Sequence, residues 1–396
     1  MLIKKIKSYI GHKYQFFKKN KKIDLLIIDD FLPSTLSPWR NYEFDELVKS
    51  IPNSVVSCDL SVYYHYDKGK SYGDNLNELS NDYPYLASKC SKLSLFQNAN
   101  VGLAYTLFYH NICRYYHHFE KHKMPFAFTL YPGGGFVLGN LGIDNNLKLI
   151  CSSPYFRGVI VNQPFVMRYL LENNIADASK IKLISGVPLK IENYLKREDN
   201  ERKFNHNSFE VLFMANKYMI QGFDKGFDLF QMIAKQLIKE FQDIKFHIVG
   251  GFSDCDLNFN ELKEFFIFHG QLNESDFEGV ISKTQICISP NRINALSEGS
   301  FDGFPLASSV TAGLHNNLLV LTDPLNQAKE IGLVDGEDFI KISTDVFETH
   351  QILKELLAEK ARMKLIAKNG QIKLQQLYNR ENQIDPRLNF IKTILN

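Results

Sequence analysis

Residues 209–252 read FEVLFMANKYMIQGFDKGFDLFQMIAKQLIKEFQDIKFHIVGGF. The opening FEVLFMA is short, apolar and almost free of charge, the mark of a strand buried on both faces. GFDLFQMIAKQLIKEF then carries its apolar residues at helical spacing. IKFHIVGG is a second buried strand, closed by Gly250 and Gly251. Strand, helix, strand is the unit from which parallel sheets are built. The turn before the helix adds chemistry, because Lys225 and Gly226 fall where the helix begins. A glycine admits close approach of a ligand, helix amides attract anions, and a lysine adds full charge. That combination suits a phosphate or diphosphate; the same pair also occurs as a solvated turn. Lys217, at the end of the first strand, is a second candidate cation. Gly250-Gly251 reads as a βα turn that either faces a ligand or is a plain turn.

The alternation continues downstream. FIFHG, SDFEGVIS and QICISP give strand, helix and strand. SSVTAGLHN is a helix, NLLVLTD a strand, and the segment from THQILKEL to QQLY is helical. Upstream, IDLLIIDDFLP is a buried strand, YEFDELVKSI a helix, SVVSCDL a strand, and VGLAYTLFYHNICRYYHHFEKH a helix. PFAFTLY and FRGVIVNQ are strands, PFVMRYLLENN a helix and KIKLISGVP a strand. The polar stretch 195–208 has the composition of a linker. The reading is therefore α/β, with two Rossmann-like doubly wound domains facing a central cleft. Residues 1–22 form a basic segment, 23–194 the N-terminal domain, 209–375 the C-terminal domain, and 376–396 a last helix returning to the N-terminal domain.

Bulk properties narrow the class. The chain has 396 residues, 44% hydrophobic and 23% charged, which fits a globular protein of two domains. A net charge of +2 gives no global signal for nucleic acid. The six cysteines have no CxxC pair and no close histidine cluster, so reduced thiols in a cytoplasmic protein are expected and no metal site. No apolar run approaches the ~20 residues that span a bilayer, and no signal peptide is evident. The first 22 residues hold eight lysines with interleaved aromatics. This segment reads either as a contact with an anionic membrane surface or as a frayed basic tail.

One further stretch, SEGSFDGFP, places Glu298 and Asp302 in a loop ahead of the helix SSVTAGLHN. Carboxylates near a phosphate lysine suit a neutral, hydroxyl-rich group such as a sugar; they also read as a solvated acidic loop. In the first half, Gly133, Gly134 and Gly135 follow a strand and leave bare backbone for a ligand, or form a flap. Arg40 and Glu43 are candidates for lining an acceptor, or for capping a helix. SDCDLNF reads as a surface loop rather than a metal motif.

The order of strand, Lys-Gly helix, strand with Gly-Gly, HG, SP, acid-Gly-Phe, small-residue helix and VLTD resembles the donor half of GT-B glycosyltransferases. The nearest likeness is to the retaining group 1, family 4-like branch. The stretch FRGVIVNQPFVMRYLLENNIADASKIKLISGVP resembles the end of that family's acceptor domain, so the likeness covers nearly the whole chain. It implies transfer of a sugar from a nucleotide-sugar substrate, with retention and without a cofactor or metal, to a glycan or lipid-linked acceptor in surface polysaccharide synthesis.

By the same resemblance Lys225 neutralises the departing diphosphate, with Lys217 in the place of an arginine. Asp302 faces the donor sugar with the backbone of Gly303 and Phe304, and Glu298 is able to take over that contact. Two departures stand out. Thr311 occupies the place of a ribose-binding glutamate, with one short hydroxyl for a carboxylate. Tyr131 stands near the place of a histidine. Two other readings compete: a glycosyltransferase-like partner without catalysis, and a nucleotide-sugar epimerase.

Overall fold

The computed structural model describes residues 22–62, 69–93, 100–195, 203–204 and 208–395. The basic segment 1–22, except Lys22, lies outside the described residues, as does most of the 195–208 linker. Two compact units divide the chain. The first runs to Ile184 and takes back Gln383–Asn396; the second is Ser185–Asn382.

The first unit is built on seven parallel strands: β1 Lys22–Asp29, β2 Ser54–Cys58, β3 Cys90–Lys92, β4 Asn100–Leu107, β5 Phe126–Leu130, β6 Phe156–Val161 and β7 Ile181–Leu183. They lie in the order β3-β2-β1-β4-β5-β6-β7. The second unit has six: β8 Phe209–Met214, β9 Ile244–Val249, β10 Phe266–Gly270, β11 Ile286–Ser289, β12 Leu318–Thr322 and β13 Ile340–Ile342. Their order is β10-β9-β8-β11-β12-β13, again all parallel. Counted within its own unit, the second sheet runs 3-2-1-4-5-6, the Rossmann order, and the first runs the same with a seventh strand added at its edge. Connections leave the first and fourth strands in opposite directions, which opens a crevice at their carboxyl ends.

The strands are buried because their residues are apolar on both faces: Ile23, Leu25 and Ile27 of β1 are fully enclosed, and so is most of β8. Phe213, Phe227, Phe230, Phe246, Phe252 and Phe266 pack into one aromatic cluster in the second unit, ring centroids 4.7–6.3 Å apart. The helix Arg380–Leu395 closes the first unit. Its Phe390 and Leu395 sit where Gly158 and Gly102 leave no room for a Cβ. Its buried Arg387 reaches Glu43 and Tyr131. Among the described residues no helix is long and apolar enough to cross a membrane.

One expected element is different. VGLAYTLFYHNICRYYHHFEKH is not a single helix. Residues Asn100–Leu107 form β4, central in the sheet, and the helix occupies Tyr109–Lys121. Val101, Leu103, Tyr105 and Leu107 alternate and are buried. Phe108, at φ 70°, breaks the chain direction between the two elements. The helical stretch ending at QQLY likewise divides, into Val346–Ala358 and Lys360–Leu377, and the last helix is Arg380–Leu395.

Candidate functional site

In the second unit the crevice lies where β8 and β11 end. The loop after β8 makes a tight 3-10 turn over Ile220–Lys225 and enters the helix Phe227–Leu237 through Gly226. Gly226 has φ 69°, and a Cβ there would lie 1.9 Å from the carbonyl oxygen of Pro290. Only glycine lets the loop press this closely against the end of β11. The helix has no side-chain cap, so its first amides are left for another acceptor. Gly250, at φ 126°, is pressed in the same way against the carbonyl of Ala215, where a Cβ would lie 2.0 Å away. Gly251 has open space instead, its nearest neighbour being the Gln271 side chain at 3.9 Å.

Lys225 is buried at this mouth. Its ammonium donates to Asp302 Oδ2 at 2.6 Å, stands 3.8 Å from Asp224 Oδ2, and lies 5.0 Å from the Tyr218 ring centroid. The sequence pairing of lysine and loop acid is therefore physical. Of the two loop acids only Asp302 makes it: Glu298 is exposed and, among the described residues, bonds to nothing. The loop itself is stapled, because Ser300 Oγ accepts the amides of Leu296 and Ser297 while the Gly299 amide reaches Asn294. Gly303 is half-buried, and the Phe304 ring packs 6.0 Å from Phe339, leaving only the backbone to face a ligand.

Three expectations need adjustment. Lys217 is held at 2.8 and 2.9 Å by both oxygens of Asp256, 5.6 Å from the Phe252 ring, so it is not a free cation. Asp256 is accordingly not in a surface loop: it is buried and also accepts the amide of Ser253. Thr311 is buried, and its hydroxyl donates to the Ala307 carbonyl at 3.0 Å, one turn back in its own helix. It retains lone pairs but no free proton for a ribose. Arg292, which the sequence reading passed over, grips Asp228 through two bonds of 2.7 and 2.9 Å and covers the Phe223 ring at 4.1 Å. Its place just beyond the end of β11 was the available signal.

The crevice of the first unit, between β1 and β4, also holds charge. Asp29 is fully buried, accepts the amides of Phe31 and Leu32 at 2.8 and 2.7 Å, and binds Arg40 at 3.0 Å. Arg40 also donates to Asp30 at 3.2 Å and lies 4.9–5.6 Å from the rings of Phe31, Phe108 and Trp39. Arg40 is thus turned into the protein rather than lining an open surface, and the same holds for Glu43, which receives Tyr105 and Tyr131 at 2.6 and 2.8 Å. Tyr131 is spent on that inner network.

His110 completes the group. Nε2 bonds Asp30, Nδ1 lies 3.2 Å from the Gly134 carbonyl, and a third of the side chain is exposed. Burial pushes the Asp29 carboxyl up from its ordinary range, against the pull of Arg40. Burial acts on Asp30 in the same sense, but the hydrogen bond from His110 and the Arg40 charge outweigh it and hold that carboxyl well below the usual range.

Gly133, Gly134 and Gly135 all have positive φ and form a tight turn, the Phe136 amide returning to the Gly133 carbonyl at 3.1 Å. A Cβ on Gly134 would lie 2.6 Å from His110 Nδ1, whereas Gly133 faces open space. No sequence signal marks His110, because the apolar residues of β4 run straight into the helix Tyr109–Lys121 and hide the strand end just before it.

No protein-family model matches the chain, and no curated protein matches it significantly. Solved structures do. A glycosyltransferase from Rickettsia africae superposes with a TM-score of 0.62 at 15% identity, covering 96% of this chain and all of that one. Anabaena HepE, crystallised with UDP and glucose, gives 0.60 at 13% identity, over 94% and 97%. Sucrose-phosphate synthase from Thermosynechococcus elongatus gives 0.56 at 13%, over 92% and 96%. With two parallel Rossmann-ordered sheets and near-complete coverage of these structures, the chain has the GT-B glycosyltransferase fold.

Proposed function

We propose that the chain is a glycosyltransferase of the retaining group 1 branch, moving a sugar from a nucleoside-diphosphate donor to a glycan or lipid-linked acceptor. The observation that carries this reading is the buried Lys225 at an uncapped helix start, paired with Asp302 in the crevice of the second sheet. Anabaena HepE has the same fold and was crystallised with UDP-glucose, which supports a nucleotide sugar as donor.

The chemistry follows from charge. Breaking the bond from the anomeric carbon to the diphosphate builds negative charge on the leaving oxygens. An ammonium and fixed amides stabilise that charge most in the transition state. Lys225 and the helix amides thus do the neutralising, and the reaction is read as metal-independent. Asp302 and the backbone of Gly303 and Phe304 hold the sugar, and Gly251 leaves room for the phosphates and nucleoside beside the turn that Gly250 permits. In the first unit the Gly133–Gly135 turn, with His110 beside it, faces the acceptor. We place the protein in the cytoplasm, in surface-polysaccharide synthesis, with residues 1–22 touching an anionic membrane surface.

The test is calorimetric titration with UDP, ADP, GDP and dTDP. At least one should bind, and Lys225→Ala should weaken it about 100-fold, equivalent to ~3 kcal/mol. Equal affinity in the two proteins overturns the reading. The Thr311 hydroxyl, turned back into its helix, favours one alternative, a glycosyltransferase-like partner protein without catalysis that binds an active enzyme. Donor hydrolysis or transfer by the pure protein rules that alternative out.

A further inference from the structure

The pocket that is meant to take a diphosphate carries no excess positive charge. Lys225 is neutralised by Asp302 and lies near Asp224; Lys217 is neutralised by Asp256. Two lysines against three aspartates leave a formal charge of −1. A diphosphate adds at least two more negative charges, and Lys225 is the cation it shares with Asp302. One carboxylate has to leave.

The three are not equally free to do so. Asp224 has 3% of its side chain exposed and is tied down by the Met219 amide. Asp256 has 9% exposed and accepts the Ser253 amide as well as Lys217. Asp302 has 25% exposed and, among the described residues, holds no partner but Lys225. It is the one acid whose only contact is the contact the diphosphate needs.

We propose that Asp302 discriminates the sugar-loaded donor from the spent nucleoside diphosphate, an inference that rests on the donor site set out above. In the empty protein Asp302 occupies the Lys225 ammonium. An incoming diphosphate displaces it, and the freed carboxylate then requires hydrogen-bond donors. A sugar on the terminal phosphate supplies hydroxyls at that point. The bare nucleoside diphosphate supplies none, and the carboxylate, a quarter exposed, has only water to turn to beside phosphate oxygens of its own sign. The same aspartate therefore weakens the product while the donor compensates it, which favours release after transfer.

Titration of wild type, Asp302→Asn, Asp302→Ser and Lys225→Ala with UDP, ADP, GDP and dTDP tests this, each variant first checked for a wild-type melting transition. The diphosphate that binds wild type should bind Asp302→Asn about tenfold more tightly, because the charged competitor is gone. Asp302→Ser should change in the same direction. The glucose ester of that nucleotide should gain less than the diphosphate does. Unchanged or weaker diphosphate binding in both Asp302 variants, with binding still lost in Lys225→Ala, overturns the discriminator and leaves the donor site standing. If none of the four diphosphates binds wild type, or if Lys225→Ala binds as wild type does, the donor site falls and the inference with it.

Discussion

The two crevices occupy the same place in two sheets of the same strand order, and each sets a cation between carboxylates. They differ in how tightly the group is held. In the first unit Arg40 joins Asp29 and Asp30 while three aromatic rings enclose it, and Asp29 is further pinned by two amides. In the second, Lys225 meets a carboxylate that no other group among the described residues retains. An arginine with a planar fork suits a permanent link; a lysine is a point charge that exchanges partners readily. One crevice is thus a fixed scaffold around which a turn of three glycines is shaped, and the other is an exchangeable seat. Topology chooses where polar residues gather, but the anchoring of each partner decides whether the gathering is structural or available to a ligand.

The largest effect that would break this comparison is on stability. Arg40→Ala leaves two carboxylates buried without their cation, and removing one partner of a buried pair costs about 3–5 kcal/mol. Lys225→Ala should cost less, about 1–3 kcal/mol, since Asp302 can turn to water while the buried Asp224 loses its neighbouring cation. Urea unfolding of the two variants measures the difference directly. Equal losses would mean that the second crevice is as fixed as the first.

The way these sites emerge from the sequence has the same division. Buried strands were legible because a parallel sheet needs runs such as LLIID and VLFM, apolar on both faces. Lys225, Gly226 and Asp302 were legible because a strand end, a glycine and a charge adjoin one another. The remainder depends on contacts distant in sequence. Asp30 and His110 are 80 residues apart, and only the pairing of β1 with β4 brings them together. Lys217 finds Asp256 in a loop 39 residues away that looks solvated by composition. Arg40 at a helix start reads as a cap or a surface contact until its aromatic enclosure is seen. β4 was misread because its aromatic and aliphatic residues run straight into a helix, and the break rests on one residue at positive φ.

A second, intermediate effect sharpens the comparison from the side of the exchangeable seat. Gly226→Ala would place a Cβ within 1.9 Å of the Pro290 carbonyl on a backbone at φ 69°. The loop must shift, costing about 1–3 kcal/mol, and Lys225 moves with it. Nucleotide affinity should therefore fall in Gly226→Ala even where the fold survives, whereas Gly251→Ala, with open space around it, should leave stability within about 0.5 kcal/mol. Wild-type affinity in a folded Gly226→Ala protein would detach the lysine from the glycine turn.

The smallest effect is the dependence of stability on pH, and it separates the two aspartates of the fixed crevice. Asp30 has a depressed carboxyl, so its contribution is present above the ordinary carboxylate pKa, about 3.9, and is lost as pH falls through the lower folded value. Asp29 is raised, so ionising it opposes folding above its raised value; as pH falls through that value toward about 3.9 the folded state takes up its proton first and gains stability. The two slopes have opposite signs in adjacent windows. Wild type should hold or gain stability just above pH ~4 and lose it below, while Asp30→Asn should lack the loss on the acid side, a change of order 1 kcal/mol. Arg40, its own pKa raised against burial by the two aspartates, stays cationic through that window and only sets the two values apart. Should Asp30→Asn and wild type show the same acid limb in urea unfolding from pH 5 to pH 2, the link among Asp30, Arg40 and His110 is not the fixed one described, and the contrast with Lys225 loses its firmer half.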